Sequence, residues 1–121
     1  MKAISLVFAA VLGLFAWVGN AEATVLRVVA IQTGDQAAYL QQIEQVKAHY
    51  KRLGSTATVR VWRARFAGSD TGSIVVAVEY KDMADFAATD AKASADPDMQ
   101  ATMKTMAGMR TIVSDSLYEE L

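Results

Sequence analysis

The stretch SIVVAVEYKDMADF, residues 73–86, decides the fold that the sequence predicts. It begins as an apolar run rich in β-branched residues, which is typical of a buried β-strand. Asp82 follows where its carboxylate can cap the first backbone N–H groups of a helix, and Asp85 lies in the first helical turn, where negative charge suits the helix dipole. A strand that leads directly into a helix indicates a sheet covered by helices.

The segments around this unit predict three more strands and two more helices. The strands are expected at residues 25–31, 58–66 and 111–118. An amphipathic helix between the first two strands ends at Gly54, and Asp96 followed by proline begins a third helix before the last strand. The order β–α–β–β–α(α)–β predicts a ferredoxin-like α+β fold, a four-stranded antiparallel sheet with helices on one face. Another small α+β sandwich with a different strand order is the alternative.

The first helix has two possible caps and an apolar stripe. Thr33 with Gln36 three residues later fits a capping box, and Asp35 is the alternative cap. Tyr39 and Tyr50 lie on the apolar stripe of this helix. Together with Tyr80 they could line a pocket. Such aromatic side chains more often fill a core or an interface while the hydroxyl reaches water, so we expect a core role for all three.

Residues 1–23 predict a secretory signal. Lys2 precedes an apolar run at residues 4–18, and Ala21-Glu22-Ala23 has the small-x-small pattern of a signal-peptidase site. The run is shorter than the roughly 20 residues that span a bilayer comfortably. We therefore expect cleavage after Ala23 and a periplasmic or secreted domain at residues 24–121. An uncleaved anchor is the alternative.

Composition excludes several classes of function. The chain of 121 residues contains no cysteine, so it has neither a thiolate metal site nor a cysteine nucleophile. Its formal net charge of −1 argues against nucleic-acid binding driven by bulk charge. The part after the signal is long enough for one domain with a modest core.

The alternation of residues along the strands predicts which sheet face meets the helices. A tight hairpin centred on Asp70 would place Trp62 opposite Val78 and Phe66 opposite Ile74. The even-numbered residues of both strands would then face the helices. A slip of one residue would exchange the two faces, so this assignment depends on the register.

On that register, the second face combines charged residues with apolar ones. Arg63, Arg65 and Glu79 alternate there with valines, and the first strand adds Arg27. A solvent-exposed sheet face is normally more polar. We therefore expect a second copy of the chain to cover this face in a homodimer.

The charged residues of this face are the main candidates for a site. Arg27, Arg63, Arg65 and Glu79 could bind an anionic or carbonyl-bearing small molecule, because arginine makes bidentate contacts with carboxylates. A structural ion-pair network is the alternative. His49, the single histidine of the chain, could be a ligand-binding residue, a haem ligand or a general base, or else a surface residue.

Methionines of the third helix suggest a further possibility. Together with Met109, they could bind copper(I) through their thioethers, and Met99, Met103 and Met106 recur at helical spacing. The same spacing is typical of core packing, which we expect here.

Two segments resemble the dimeric α+β barrel proteins. The apolar strand that ends in Glu79-Tyr80, followed by a capped helix containing Phe86, is similar to a strand–helix unit of that superfamily. The segment Asp96-Pro97-Asp98, where a further helix begins, also resembles that superfamily. In those families two ferredoxin-like sheets pack face to face into a barrel. Members include cofactor-independent monooxygenases of antibiotic biosynthesis and haem-degrading enzymes, so the resemblance implies a homodimeric barrel.

A departure from the superfamily pattern bears on function. The resemblance implies an asparagine on the first strand, a tryptophan and a histidine in the oxygenase and haem-degrading branches, but residues 24–121 contain no asparagine. We therefore expect an exported protein that binds a small organic or anionic ligand in the barrel cavity, without metal or cofactor. The alternatives are a monooxygenase-like or isomerase-like enzyme that needs no cofactor, and a protein that handles haem or copper.

Overall fold

A computed structural model describes residues 23–121. The strands are β1 (Val25–Thr33), β2 (Thr58–Arg63), β3 (Ile74–Tyr80) and β4 (Arg110–Glu119), and the helices are α1 (Gln36–Arg52), α2 (Met83–Ala95) and α3 (Pro97–Ala107). A short 3-10 turn, Gly68–Asp70, lies between β2 and β3. The predicted signal lies outside the described residues except for Ala23. Within the described part of the chain, no helix is long and apolar enough to cross a membrane.

The four strands form one antiparallel sheet in the order β2-β3-β1-β4. The three helices pack on one side of it, which we call the helix face, and the other side is the open face. Element order and strand order together are those of the ferredoxin-like fold, so the predicted fold class is confirmed.

Each helix begins at an aspartate cap: Asp35 for α1, Asp82 for α2 and Asp96 for α3. The donors are the backbone N–H groups of Ala38 (3.0 Å), Asp85 (2.7 Å) and Met99 (2.8 Å). Two of these caps were predicted. The capping box of Thr33 with Gln36 was not confirmed, because Asp35 is the cap and Thr33 accepts a hydrogen bond from the Asp35 N–H instead.

The core lies between the helix face and the three helices. Tyr39 and Ile43 of α1 are almost fully buried there, against the even-numbered residues of β3. This confirms the core role predicted for Tyr39 and for that side of β3. Met99 and Met106 of α3 are also buried, whereas Met103 is 40% exposed, so two of the three methionines pack as predicted.

The register of the β2–β3 hairpin differs from the prediction by three residues. Trp62 lies opposite Val75 rather than Val78, and Arg63 rather than Phe66 lies opposite Ile74. The reason is that β2 ends at Arg63 and a wide loop follows, closed by hydrogen bonds of the Ala64 backbone to Ser73 and Gly72. Since an odd shift exchanges the faces, Trp62 points to the open face and is 58% exposed, so its predicted position on the helix side is wrong.

The face predicted for the odd-numbered residues of β1 is also wrong. Arg27 lies opposite Val78, and Val25 lies opposite Tyr80, so these side chains belong to the helix face. Leu26 and Val28 take the open face in their place. β1 is an inner strand with apolar residues on both faces, and such a strand has no polar alternation from which its faces could be assigned.

The open face is a partly apolar surface. Large or branched apolar side chains on it come from all four strands: Leu26, Val28, Trp62, Val75 and Tyr118. The loop after β2 folds over one end, where Asp70 accepts a hydrogen bond of 3.1 Å from Ser114 of β4. Ala30, the partner of Ser114 on β1, is only 2% exposed as a result. The rest of the face contains a groove of about 520 Å³.

Candidate ligand site

The structure separates the four charged residues that were predicted to form one cluster. Arg27 lies on the helix face and Glu79 on the open face, where Thr58 is its β2 partner. Arg63 donates a hydrogen bond to Gln36 at the start of α1. Arg65 follows the end of β2 and is exposed. The predicted cluster is therefore not assembled within one chain, because the register and the β1 faces both differ from those expected.

His49 joins α1 to α3 through a hydrogen-bond network. Its Nε2 lies 2.9 Å from the Thr102 hydroxyl, and its Nδ1 lies 3.3 Å from an Nη atom of Arg52. Arg52 can only donate, so Nδ1 is the acceptor and Nε2–H donates to Thr102. Arg52 also forms a bidentate pair with Asp96, at 3.1 and 2.6 Å. This arrangement uses both imidazole nitrogens to connect two helices.

A cavity of about 90 Å³ lies between the sheet and the helices, and we call it the helix-side cavity. Most of its wall is apolar and comes from the core. The polar side chains that line it are Arg27, Tyr39, Tyr50, Tyr80, Arg110 and Asp115. Only Arg27 belongs to the site predicted from sequence.

Arg110 is the most unusual residue of this cavity. Its Nη1 donates a hydrogen bond of 2.8 Å to the Tyr39 hydroxyl, and its guanidinium carbon lies 6.0 Å from the centre of the Tyr39 ring. Its Nε–H is buried and has no hydrogen-bond partner among the described residues. A buried donor without a partner costs about 1–3 kcal/mol. Such a group at a cavity wall is a donor available to a ligand.

Arg27 and Asp115 form an ion pair at the same cavity. Arg27 Nε and Nη2 donate to the two carboxylate oxygens of Asp115 at 3.1 and 2.8 Å. The hydrogen bonds from Arg27 lower the pKa of Asp115, and the charge of Arg110 lowers it further. The same pairing raises the pKa of Arg27. Both side chains are 39% exposed, so the pair lies at the boundary between cavity and solvent.

Tyrosine hydroxyls complete the polar part of the wall. Burial raises the pKa of Tyr80, and the nearby Tyr50 adds to this effect. Tyr80 therefore stays protonated at neutral pH and can donate a hydrogen bond. Its ring also packs edge-on against Phe86, with the ring centres 5.0 Å apart, which fixes its position.

The cavity opens between α3 and β4. Met103 of α3 and Ile112 of β4 line it, yet they are 40% and 49% exposed. Residues that both line a cavity and meet solvent mark its mouth. A ligand larger than the cavity can therefore place a polar group inside and leave an apolar part against this rim.

The chemistry of these groups suits recognition of an anion. Guanidinium groups and protonated tyrosines are hydrogen-bond donors for carboxylates, and the apolar wall excludes water that would weaken such contacts. Among the described residues there is no group of three or more His, Asp or Glu side chains placed to hold a metal ion.

Sequence reasoning missed Arg110 and Asp115. The last strand was expected to begin at residue 111, so Arg110 was assigned to the turn that precedes it. A register irregularity opposite Ala30 and Ile31 of β1 then changes which β4 residues face the helices. The sequence does contain opposite charges on two predicted strands, Arg27 on the first and Asp115 on the last. Only the β1–β4 register shows that these two residues meet.

Comparisons with known proteins agree on the fold. No family model and no curated protein matches the sequence. SnoaB from Streptomyces nogalater, a cofactor-independent oxygenase, is similar in structure with a TM-score of 0.60 at 15% identity, over 79% of this chain and 91% of SnoaB. A NIPSNAP family protein from Agrobacterium tumefaciens is similar with a TM-score of 0.59 at 17% identity, over 82% of this chain and 90% of that protein. At these identities the likeness concerns the fold alone, a ferredoxin-like α+β domain that this chain shares with both.

Proposed function

We propose that this protein binds a small organic anion in its helix-side cavity and works as an exported homodimer. The observation that supports this most is the buried Nε–H of Arg110, a donor without a partner among the described residues at the wall of an apolar cavity. Arg27 places a second guanidinium at the same cavity. The proposal keeps the ligand class predicted from sequence and moves the site from the barrel interior to the helix face.

A homodimer through the open face is part of the proposal. Leu26, Val28 and Trp62 form an apolar surface there, and a second copy related by a two-fold axis would cover it with the same residues. Arg60 and Glu79 give this face both signs of charge, which lets Arg60 of one copy approach Glu79 of the other. The helix-side cavity lies on the opposite side of the sheet, so dimerisation leaves it accessible.

Export is the other part of the proposal, and it depends on residues 1–23. The pattern of a positive residue, an apolar run and Ala21-Glu22-Ala23 supports it. Expression of the full chain followed by N-terminal sequencing of the extracytoplasmic protein should give Thr24 as the first residue. Intact Met1 on a protein that stays inside the cell would contradict it.

The enzymatic alternative, a monooxygenase-like or isomerase-like activity, needs a proton acceptor. Asp115 is the carboxylate at the cavity, and Arg27 makes it a weaker base by lowering its pKa. Binding is therefore the function that the geometry supports better. The haem alternative would require His49 to give up its contacts with Thr102 and Arg52. The copper alternative would use the thioethers of Met99 and Met106, which are buried in the core.

A thermal-shift screen of small organic acids tests the proposed function. We expect acids that raise the melting temperature of the wild-type protein to lose most of this effect in Arg110→Lys, because lysine keeps the charge but lacks the Nε–H and the planar fork. Arg60→Lys on the open face is the matched control and should respond as the wild type does. Equal stabilisation of all three proteins by every acid would rule out binding through Arg110.

A further inference from the structure

The helix-side cavity has an unusual balance of charge. Of the described residues that line it, three are ionised at neutral pH: Arg27, Arg110 and Asp115. Two guanidinium groups and one carboxylate leave a single net positive charge. Tyr80 adds no charge at that pH, because burial raises its pKa.

Asp115 lies where it can affect both arginines. It accepts two hydrogen bonds from Arg27, at 3.1 and 2.8 Å, and the charge of Arg110 acts on it as well. Its carboxylate therefore already neutralises one of the two positive charges that a ligand would meet. A ligand with one negative charge completes the balance, whereas a ligand with two would place its second charge beside Asp115.

We propose that Asp115 is a specificity-determining residue that restricts the cavity to monocarboxylates and excludes dicarboxylates of the same length. This inference rests on the proposed function, since it assumes that an anion binds in the helix-side cavity. The volume adds a limit on size. A cavity of about 90 Å³ has room for only a few water-sized groups, so the part of the ligand inside the cavity is short.

Butyrate and succinate are suitable probes, because they have four carbons each and differ in one carboxylate. We expect wild-type dimer to bind butyrate more tightly than succinate by isothermal titration calorimetry at pH 7. Asp115→Asn keeps the shape and an acceptor for Arg27 but removes the negative charge. It should shift the butyrate-to-succinate affinity ratio toward succinate by about tenfold, the size expected for one partly solvated charge a few ångströms away.

A double variant distinguishes the charge of Asp115 from its structural contacts. Arg27→Gln with Asp115→Asn restores a single net positive charge while both positions still hold hydrogen-bonding side chains. The affinity ratio should return to the wild-type value in this variant. Glu79→Gln, which removes a carboxylate from the open face, is the matched control and should leave the ratio unchanged.

The outcomes separate this inference from the proposed function. Butyrate binding that depends on Arg110, with the same affinity ratio in wild type and Asp115→Asn, would overturn the role of Asp115 and leave the binding site intact. A failure of the double variant to restore the ratio would overturn it too. If neither acid binds the wild type or either variant, while circular dichroism shows all of them folded, the proposed site itself is wrong.

Discussion

Arg110 Nη1 donates a 2.8 Å hydrogen bond to the hydroxyl of Tyr39, which joins the start of β4 to the first turn of α1. Tyr39 is fully buried, and Arg110 contacts both its hydroxyl and its ring. The bond therefore fixes the Arg110 guanidinium at the wall of the helix-side cavity. The buried Nε–H of this guanidinium has no hydrogen-bond partner among the described residues. Stability and ligand binding should both depend on this pair.

Tyr39→Phe should destabilise the fold by about 1–3 kcal/mol, because the part-buried hydrogen bond from Arg110 Nη1 would lose its acceptor. Urea denaturation followed by circular dichroism measures the change in free energy of unfolding. Tyr118→Phe is the comparison, since Tyr118 is 57% exposed in one chain and lies on the open face, on the other side of the sheet from Arg110. Equal stability of the two variants would show that the bond to Arg110 adds little.

Trp62→Asp should convert the proposed dimer to monomer, because it places a charge in the apolar surface of the open face. Light scattering coupled to size-exclusion chromatography gives the mass. Leu117→Asp is the control, because Leu117 is 44% exposed but belongs to the helix face of β4. A wild-type protein that is monomeric at high concentration would contradict dimerisation, and dissociation of both variants would contradict the assignment to the open face.

Gly54→Ala should cost about 1–2 kcal/mol, since Gly54 follows α1 with φ +75°, where a Cβ meets the backbone unfavourably. Gly34→Ala is the comparison, because Gly34 does not have a positive φ and has no atom within 4 Å of an added Cβ. Thermal denaturation of both variants measures the difference. A loss of stability for Gly34→Ala as large as that for Gly54→Ala would show that backbone conformation is not the cause.

Stability should fall in acid below about pH 4. Hydrogen bonds from Arg52 and Arg27 lower the pKa values of Asp96 and Asp115 respectively. A carboxyl group with a lowered pKa in the folded state contributes stability that is fully present above its ordinary value of about 4. This contribution is lost as pH falls through the lower folded value.

Urea midpoints measured from pH 6 to pH 2 test this dependence on acid. The double variant Asp96→Asn with Asp115→Asn should be less stable at pH 6 and lose less stability on acidification. Glu120→Gln, at an exposed carboxylate, should retain the wild-type profile. Parallel profiles for the wild type and the double variant would mean that other groups cause the acid sensitivity.

The parts of the fold that depend on local chemistry could be predicted from sequence. Asp82 and Asp96 were recognised as caps because an aspartate before a helical pattern has a local role, and the cap bonds of 2.7 and 2.8 Å confirm it. The apolar alternation of β3 likewise identified its buried side. These features need only a few neighbouring residues.

The site could not be predicted, because it depends on strand registers. The loop of residues 64–73 contains more residues than a tight hairpin, and the resulting shift moved Trp62 to the open face. Arg27 and Asp115 are far apart in sequence and meet only through the β1–β4 pairing, which is itself irregular. The alternation along the strands grouped Arg27 with Glu79, but the β1–β3 register places them on opposite sides of the sheet.

The most direct test of the account is the Arg110 Nε–H signal in a proton–nitrogen correlation spectrum, assigned by its loss in Arg110→Lys. We predict that butyrate shifts this signal saturably, with smaller changes at Arg27 and none at Arg60 on the open face. An Arg110 signal that stays in place at saturating butyrate, or a shift confined to Arg60, would contradict the helix-side cavity as the binding site.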